Sequence, residues 1–206
     1  MNYLIENPQK VLELFLQHVN MLGITLAISL AIALPVGMLI SRVSFLYVPV
    51  TGLLGILYTI PSLALYAFFI PITGLGPKTA IIGLVVYAQM ILVRNVVAAI
   101  QGIDPLVIEA AKAMGMTKWQ IILKIEVPLA IPVIVAGIRI ATVSTISIAT
   151  VAAWINAGGL GRIIYDGLHH NDFGKIMLGT LLIGLLAILA DALFRLIERR
   201  TTPKSA

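Results

Sequence analysis

The stretch EAAKAMGMTKWQIILKIEVP, Glu109–Pro128, is a charged segment in a chain that is otherwise strongly apolar. Its order is Glu-Ala-Ala, three residues, Gly115, nine residues, and then Ile125-Glu126-Val127-Pro128. Long apolar stretches lie on both sides of it, and such stretches indicate membrane-spanning helices. The segment is therefore predicted to be a polar connection that leaves the membrane between two spans.

The composition excludes several other classes of protein. The chain has 206 residues, of which 11% are charged, and its mean hydropathy is +1.05. A soluble domain of this size has too few core positions for so many apolar residues. The absence of cysteine excludes disulfides and thiolate metal sites. The net charge of +5 is dispersed over several connections, so nucleic acid is not an expected partner.

Five stretches reach the roughly 20 apolar residues that a transmembrane helix needs. Helices are the expected form, because backbone polar groups in lipid must be satisfied within the segment. The sequence thus predicts an all-α polytopic membrane protein, with residues 1–206 forming one transmembrane domain and a polar connection at about 103–128. The predicted spans are Val19–Ile40, Pro49–Ile70, Thr79–Ile100, Leu129–Ala153 and Ile176–Ile197.

The distribution of lysine and arginine predicts the orientation, because cytoplasmic connections are enriched in both. With segment 109–128 inside, eight of the 14 basic residues fall in cytoplasmic connections, four in outer ones and two within spans. An odd number of spans places the termini on opposite sides. The N-terminus is therefore predicted outside and the C-terminus inside.

The residues before the first span allow two interpretations. Asn7-Pro8 is typical of a helix N-cap followed by proline at the first helical position. The apolar residues that follow recur with helical spacing, which fits either a short amphipathic helix on the membrane surface or an extension of the first span. Charged residues near the start leave no apolar core for a cleavable signal peptide, so none is expected.

The second predicted span contains Pro61, which is followed by Ser62. Proline cannot donate a backbone hydrogen bond and clashes with the preceding turn, so the helix is predicted to kink or break there. The freed carbonyl must find a donor in Thr59, Ser62, water or a neighbouring helix. Such a break can border a transport pathway or be a plain structural kink, and both interpretations stay open.

Small residues recur at every fourth position of the fourth predicted span. This spacing keeps them on one helical face, where they permit close packing. Packing within one chain is the favoured interpretation, and a face against a pore or a second chain is the alternative. The residues are Gly137, Ala141, Thr145, Ala149 and Ala153.

The connection between residues 155 and 175 carries Gly158-Gly159-Leu160-Gly161. It is not a phosphate-binding loop, because no Gly-Lys-Ser/Thr follows. The glycines instead predict a tightly turned or re-entrant segment at an outer gate. His169 and His170 match no standard set of metal ligands, so no metal site is predicted. The candidate residues of a pathway or gate are Pro61, Ser62, Tyr87, Trp154 and Gly159.

Residues 103–120 are predicted to form two short helices joined by a turn. Asp104-Pro105 supplies an N-cap and a first helical residue, and alanines favour the helix that follows. Gly115 permits the positive φ of a sharp helix end. Thr117 is placed to cap a second helix, which carries Trp119.

Three ionisable residues fall within the predicted spans: Arg94, Arg139 and Asp191. Isolated charges are unfavourable in lipid, so these residues are expected to pair. Asp191 is predicted to pair with Arg139 or Arg94 and to clamp the helix bundle or form part of an inner gate. Extension of the side chain toward the interface is the alternative for Arg94.

The order of residues in Glu109–Pro128 resembles the cytoplasmic Glu-Ala-Ala loop of permeases from binding-protein-dependent ABC importers. Val127, which replaces a leucine, is the one departure. The chain has no nucleotide-binding motif. We therefore expect that it is not itself an enzyme and that it binds no cofactor. The resemblance implies that ATP and magnesium bind to a partner ATPase and that the loop docks there through Glu109, Ala110, Ala111, Gly115, Trp119 and Pro128.

More narrowly, residues from about Val19 to Pro203 resemble the permeases of osmoprotectant importers, which share the fold of the methionine-importer permease. The resemblance implies import of glycine betaine, carnitine or choline. It also implies a cytoplasmic ATPase dimer, a second permease chain, identical or homologous, and an external substrate-binding protein. The supporting segments are Ile60–Leu65, Phe68–Pro71, Gly137–Arg139, Gly158–Gly161 and Glu198–Pro203.

A quaternary-ammonium solute is typically held by aromatic side chains. Tyr58, Tyr66, Tyr87 and Trp154 are available for this contact. The sequence does not indicate whether these four residues converge.

Other functions stay open at this point. One is a permease for another small solute, such as an amino acid. Another is a membrane scaffold that transports nothing and binds partner helices through its small-residue faces, although segment 109–128 argues against it. A membrane-embedded enzyme is disfavoured, because no catalytic set of residues lies within the spans.

Overall fold

The computed structural model describes residues 2–201, and every regular element in that range is helical. The all-α prediction is therefore confirmed for this part of the chain. Residues 202–203, which end the segment Glu198–Pro203, lie outside the described residues. The elements are α1 (Asn2–Glu6), α2 (Pro8–Arg42), α3 (Ser44–Thr59), α4 (Ser62–Thr73), α5 (Pro77–Gln101), α6 (Pro105–Ala113), α7 (Lys118–Ile121), a π-turn (Ile122–Glu126), α8 (Val127–Val151), a 3-10 turn (Ala152–Ile155), α9 (Gly161–His169) and α10 (Phe173–Thr201).

Within the described residues, four helices are long and apolar enough to cross a membrane. These are α2, α5, α10 and the continuous helical run Lys118–Ile155, which includes α8. Taken together, α3 and α4 are also long and apolar enough to cross a membrane, although they meet at a bend of 97°. The structure thus has four straight candidate spans, or five if the bent pair forms one broken span, as expected for a polytopic membrane protein.

The first span begins earlier than predicted. The sequence places its start at Val19, whereas α2 runs without interruption from Pro8 for 35 residues. At 1.5 Å per residue this helix is about 52 Å long, well above the roughly 30 Å of a bilayer core. The segment before Val19 is thus an extension of the first span and not a separate surface helix. Helix α1 was not predicted.

The second predicted span is interrupted at Ile60-Pro61, as the proline indicates. Both residues are extended, with ψ values of 129° and 138°, and α3 and α4 meet there at the 97° bend. The Tyr87 hydroxyl of α5 donates a hydrogen bond to the Ile60 carbonyl. A backbone carbonyl at the break is therefore satisfied by a neighbouring helix. A neighbouring helix is one of the partners that the sequence allows.

Helix α5 is the most enclosed of the four unbroken spans. In an apolar stretch of 18 residues, 61% of its residues are buried, compared with 17–28% in the other three spans. Two buried clusters surround it, one centred on Leu84 and one on Leu92. The small-residue face of α8 is buried within the chain, which supports packing within one chain. At Gly137 an added Cβ would lie only 2.5 Å from the Cβ of Asn95, so the backbones of α5 and α8 approach closely there.

Candidate functional site

Helix α6 begins and ends with local signals that the sequence predicts. The N–H of Leu106 donates to Oδ1 of Asp104 over 2.9 Å, and Pro105 is the first helical residue. Gly115 has a φ of +79°. The N–H groups of Gly115 and Met116 donate to the carbonyls of Lys112 and Ala111, a Schellman closure that requires a left-handed residue after the helix.

Helix α7 starts with a capping box. The Gln120 N–H donates to Oγ1 of Thr117 over 3.3 Å, and the Thr117 N–H donates to Oε1 of Gln120 over 2.8 Å. The capping role of Thr117 is thus confirmed. The sequence separates this helix from a fourth span at Leu129, but the structure joins α7 to α8 through the π-turn. Helices α7 and α8 therefore belong to one continuous helical run.

The surface of the α6–α7 element (α6, α7 and the turn between them) is unusually apolar for a segment rich in charged residues. Leu106, Met114 and Trp119 are each at least 69% exposed. Exposed apolar side chains that cluster in this way are typical of an interaction face. Glu109 lies on the same exposed element.

The other residues of the Glu-Ala-Ala segment divide between surface and interior. Ala110 is exposed, whereas Ala111 is fully buried. Ala111 therefore allows close packing of α6 on its own chain and does not itself face a partner. Pro128 is exposed just after the π-turn, inside the continuous helical run, where its missing N–H removes one helical hydrogen bond.

A cluster of charges joins α8 to α10. Nη1 of Arg139 lies 3.6 Å from Oδ1 of Asp191, and Nε of Arg139 lies 3.4 Å from Oε2 of Glu198. Asp191 also accepts a 2.7 Å hydrogen bond from Nη2 of Arg195. Asp191, Arg195 and Glu198 follow a spacing of four and then three residues, which places them on one helical face. That spacing could have added Arg195 and Glu198 to the predicted group.

Arg94 is not part of this cluster. Its side chain is exposed on α5, and within residues 2–201 it forms no ion pair in the structure. The structure therefore places Arg139, and not Arg94, against Asp191.

At the opposite end of the bundle the glycine-rich connection folds tightly against α2. Gly158 and Gly159 have φ values of +77° and +76°. The Gly159 N–H donates to Oε1 of Gln17 over 3.1 Å, and an added Cβ on Gly159 would lie 2.9 Å from Nδ1 of His18. The tightly turned segment that the glycines predict is present, and it is followed by α9, which was not predicted.

The aromatic candidates separate into two groups. Tyr58 and Tyr87 meet edge to face with ring centroids 5.8 Å apart, beside the break at Pro61. Trp154 packs instead on Tyr165, at 4.9 Å, near the ring of His169. Tyr66 is fully buried. The four predicted aromatic residues therefore do not form a single cage within this chain.

The remaining gate and metal candidates are placed as follows. Pro61 is exposed and Ser62 is half-buried at the start of α4. Nδ1 of His169 lies 3.1 Å from the carbonyl of Tyr165, and Nδ1 of His170 lies 2.8 Å from that of Asp166. Among the described residues, no group of three or more His, Asp or Glu side chains is arranged to hold a metal.

The fold and the α6–α7 element together define a polytopic helical membrane domain with a water-facing element between two spans. Residues 22–203 match the family described as binding-protein-dependent transport system inner membrane component. The chain belongs to this family, whose members are the membrane-spanning components of such transport systems.

Several curated relatives match nearly the whole chain. The carnitine transport permease protein OpuCB of Listeria monocytogenes is 38% identical over 97% of this chain and 92% of its own length. The glycine betaine/carnitine/choline transport system permease protein OpuCB of Bacillus subtilis is 37% identical over 99% and 94%. The osmoprotectant import permease protein OsmW of Salmonella typhimurium is 36% identical over 98% and 97%.

Solved structures give the same fold. A chain of the MetNI methionine ABC transporter in an inward-facing conformation superposes with a TM-score of 0.87 and 26% identity, covering 96% of this chain and 99% of that one. A chain of an amino acid ABC transporter superposes with a TM-score of 0.77 at 15% identity, which indicates a shared fold. The resemblance to the methionine-importer permease is therefore confirmed at the level of the fold.

Proposed function

We propose that this chain is the permease subunit of an ATP-driven importer for small osmoprotectants such as glycine betaine, carnitine or choline. Three relatives that match at least 97% of the chain are named for these solutes or for osmoprotectant import. The chain has no nucleotide-binding motif, so a partner ATPase supplies the energy and binds the ATP and magnesium.

The α6–α7 element is the observation that carries the proposal. The first helix is capped where it enters the turn and the second where it leaves it, so the element is rigid. Its exposed side chains include the large apolar residues Leu106, Met114 and Trp119. This combination suits a plug that fits into a cleft of an ATPase subunit. The helical run Lys118–Ile155 then connects the plug directly to a span, so closure of the nucleotide sites moves α8.

Glu109 supplies the polar contact of this interface in our proposal. Its carboxylate is exposed beside apolar side chains of the same element. A carboxylate accepts strong charge-assisted hydrogen bonds from arginine, lysine or backbone N–H groups of a partner. Apolar contacts then supply most of the buried area of the interface, and the hydrogen bonds of Glu109 fix how the two surfaces align.

The remaining partners follow from the family. An external binding protein delivers the solute to the end of the bundle that carries the glycine-rich connection, and a second permease chain completes the pathway. In our proposal, which the distribution of basic residues supports, the α6–α7 end and the C-terminus lie inside the cell and the N-terminus lies outside. The cluster of Arg139 and Asp191 clamps α8 to α10 in the inner half of the bundle.

Reconstitution with the partner ATPase and binding protein tests this function directly. Proteoliposomes should take up labelled glycine betaine, carnitine or choline when ATP is present on the side of the membrane where the ATPase is bound. Binding protein loaded with solute should stimulate ATP hydrolysis. Uptake of methionine in place of these solutes would favour the amino-acid alternative. A complex that binds no ATPase would favour the scaffold.

A charge reversal on the element adds a sharper test. Glu109→Lys should lower stimulated ATPase activity and uptake together, because the carboxylate contact becomes a positive charge. Arg200→Glu, which reverses an exposed charge in the last turn of α10, is the matched control and should leave stimulated ATPase activity and uptake unchanged. Wild-type coupling in Glu109→Lys would contradict the role given to Glu109.

A further inference from the structure

Arg42 and Glu126 form an ion pair that no motif in the sequence predicts. Arg42 is the last residue of α2, and Glu126 is the last residue of the π-turn. Nη2 of Arg42 donates a hydrogen bond to Oε2 of Glu126 across 84 residues of sequence. The contact places the C-terminal end of α2 directly beside the helix that leaves the α6–α7 element.

The π-turn is an irregular place in that helix. The N–H of Val127 donates to the carbonyl of Ile122, a bond over five residues, whereas an α-helix bonds over four. Single π-turns are rare and often lie at functional sites, and helices bend where the regular hydrogen-bond ladder is interrupted. The run Lys118–Ile155 can therefore flex between the α6–α7 element and α8.

An apolar cavity of about 280 Å³ lies next to the same turn. Among the described residues, Glu126 is its one polar lining residue. Side chains that border a cavity lack packing partners on that side, so apolar packing between α2, α5 and the turn is incomplete here. The apolar lining residues include Leu34 and Met38 of α2, Val96 and Ile100 of α5, and Ile122 of the π-turn.

Glu126 of the ion pair borders this cavity. The Glu126 side chain is only 15% exposed, and the Arg42 side chain is 46% exposed. A charge-assisted hydrogen bond to a largely buried carboxylate is stronger and better ordered than a fully exposed pair, which contributes little. Arg42 thus fixes the position of Glu126 relative to the end of α2.

We propose that the Arg42–Glu126 pair is a strut that orients the α6–α7 element and transmits its movement to α2. Without the strut, the movement reaches only α8 through the continuous helix, and the flexible π-turn absorbs part of it. With the strut, α2 and α8 move together. The inference rests on the proposed function, because it assigns two positioning residues to the same coupling step.

Charge reversal tests the strut in the reconstituted transporter. Arg42→Glu and Glu126→Arg each place like charges side by side, and the double variant restores the pair in the opposite order. We expect each single variant to reduce solute transported per ATP hydrolysed by about fivefold or more, the lower end of typical coupling between sites. The double variant should recover most of the loss. Arg42→Lys, which keeps the charge, should remain close to wild type.

Controls separate positioning from folding and from the proposed function. The melting temperature in detergent shows whether each variant is folded. If charge reversal lowers the melting temperature, Arg42→Gln and Glu126→Gln can be tested instead, because they remove the ion pair without adding repulsion. Arg200→Glu is a matched charge change in the last turn of α10 and should leave the transport ratio unchanged. A wild-type ratio in the single variants, or well-folded double variants no better than the singles, overturns the strut. A wild-type complex that transports nothing refutes the proposed function instead.

Discussion

Two glycine-containing turns lie at opposite ends of the bundle, and they differ in why glycine is needed. Gly115, in the α6–α7 element, has a φ of +79°, and an added Cβ would meet nothing within 4 Å. Gly161, at the start of α9, would place a Cβ 2.1 Å from the carbonyl oxygen of Thr150. The first turn therefore needs glycine for its conformation alone. The second needs it for space at Gly161 and for both space and conformation at Gly158 and Gly159.

This difference fits the separate functions that we propose for the two ends. A turn surrounded by open space is free to move as a unit with its helices, which suits a docking element. A turn packed against the backbone of α8 and the side chain of His18 belongs to the folded core, so it anchors the opposite end. Substitutions at the two turns should accordingly affect different measurements.

The largest expected effect is on stability at Gly161. In Gly161→Ala the new methyl group collides with backbone atoms of Thr150, which cannot rotate away. Overpacking typically lowers the free energy of unfolding by 1–3 kcal/mol, and a backbone clash belongs to the upper end, about 3 kcal/mol. Thermal unfolding in detergent should show a clear fall in melting temperature.

Gly184→Ala provides the matched control, since an added Cβ there meets nothing within 4 Å and the residue lies inside α10. Alanine favours a helix over glycine by up to about 1 kcal/mol. The control should be neutral or slightly stabilising. A stable Gly161→Ala variant would show that α9 is not tightly packed on α8.

The next effect is on coupling at Gly115. In Gly115→Val a β-branched residue must adopt a positive φ, a strain of about 1–3 kcal/mol that the open turn relieves by changing shape. Membrane insertion and melting temperature should stay close to wild type, because the side chain touches no neighbour. Uptake and stimulated ATPase activity should both fall sharply.

Gly115→Asn sharpens this result. Asparagine adopts the left-handed region more readily than other residues with a side chain, so this variant should keep more activity than Gly115→Val. Equal loss in both variants would indicate that side-chain size matters and not backbone conformation. Full activity in Gly115→Val would show that the turn angle does not control coupling.

The local features of the α6–α7 element were predictable because each depends on a few neighbouring residues. Asp104, Thr117 and Gly115 act through caps and a turn whose chemistry is fixed within one helical turn. The break at Pro61 is predictable for the same reason. The family order of Glu109–Pro128 then indicated a function for these local signals.

Features that depend on packing between helices were not predictable. A hydropathy window detects residues suited to lipid, not helix ends, so it placed the first span at Val19, whereas Asn7-Pro8 did indicate the helix start that the structure has. The π-turn has no distinctive composition, and the 97° angle between α3 and α4 depends on Tyr87 and other neighbours. The Arg42–Glu126 pair joins residues 84 positions apart, and no local pattern connects them.

A smaller effect is expected in the charge cluster that lies between the two ends. Breaking a fully buried pair costs about 3–5 kcal/mol, but Asp191 is 33% exposed and Glu198 also lies 3.4 Å from Arg139. Asp191→Ala therefore leaves Arg139 partly compensated, and we expect a loss of about 1 kcal/mol, close to a surface pair. Unfolding of the detergent-solubilised protein measures it.

The double variant Asp191→Ala/Arg139→Ala tests whether the two residues are coupled. It should be less destabilised than the sum of the single variants, because the second substitution removes a charge that has already lost a partner. Combination with Arg94→Ala should be additive, since Arg94 lies apart from the cluster. If the losses of stability of Asp191→Ala and Arg139→Ala were additive, the interaction between the two residues would not contribute to stability.

The last test asks which end of the bundle faces outward. Positions 78, 118 and 170 are all exposed, and the chain has no cysteine of its own, so Lys78→Cys, Lys118→Cys and His170→Cys each introduce a single reactive thiol. The proposed orientation places residues 78 and 170 beside the packed glycine turn outside the cell, and residue 118 in the docking element inside. An impermeant thiol reagent should label the first two in intact cells and the third only after permeabilisation. Labelling at position 118 from outside would invert the assignment, because the open turn would then face the binding protein and the packed turn the ATPase.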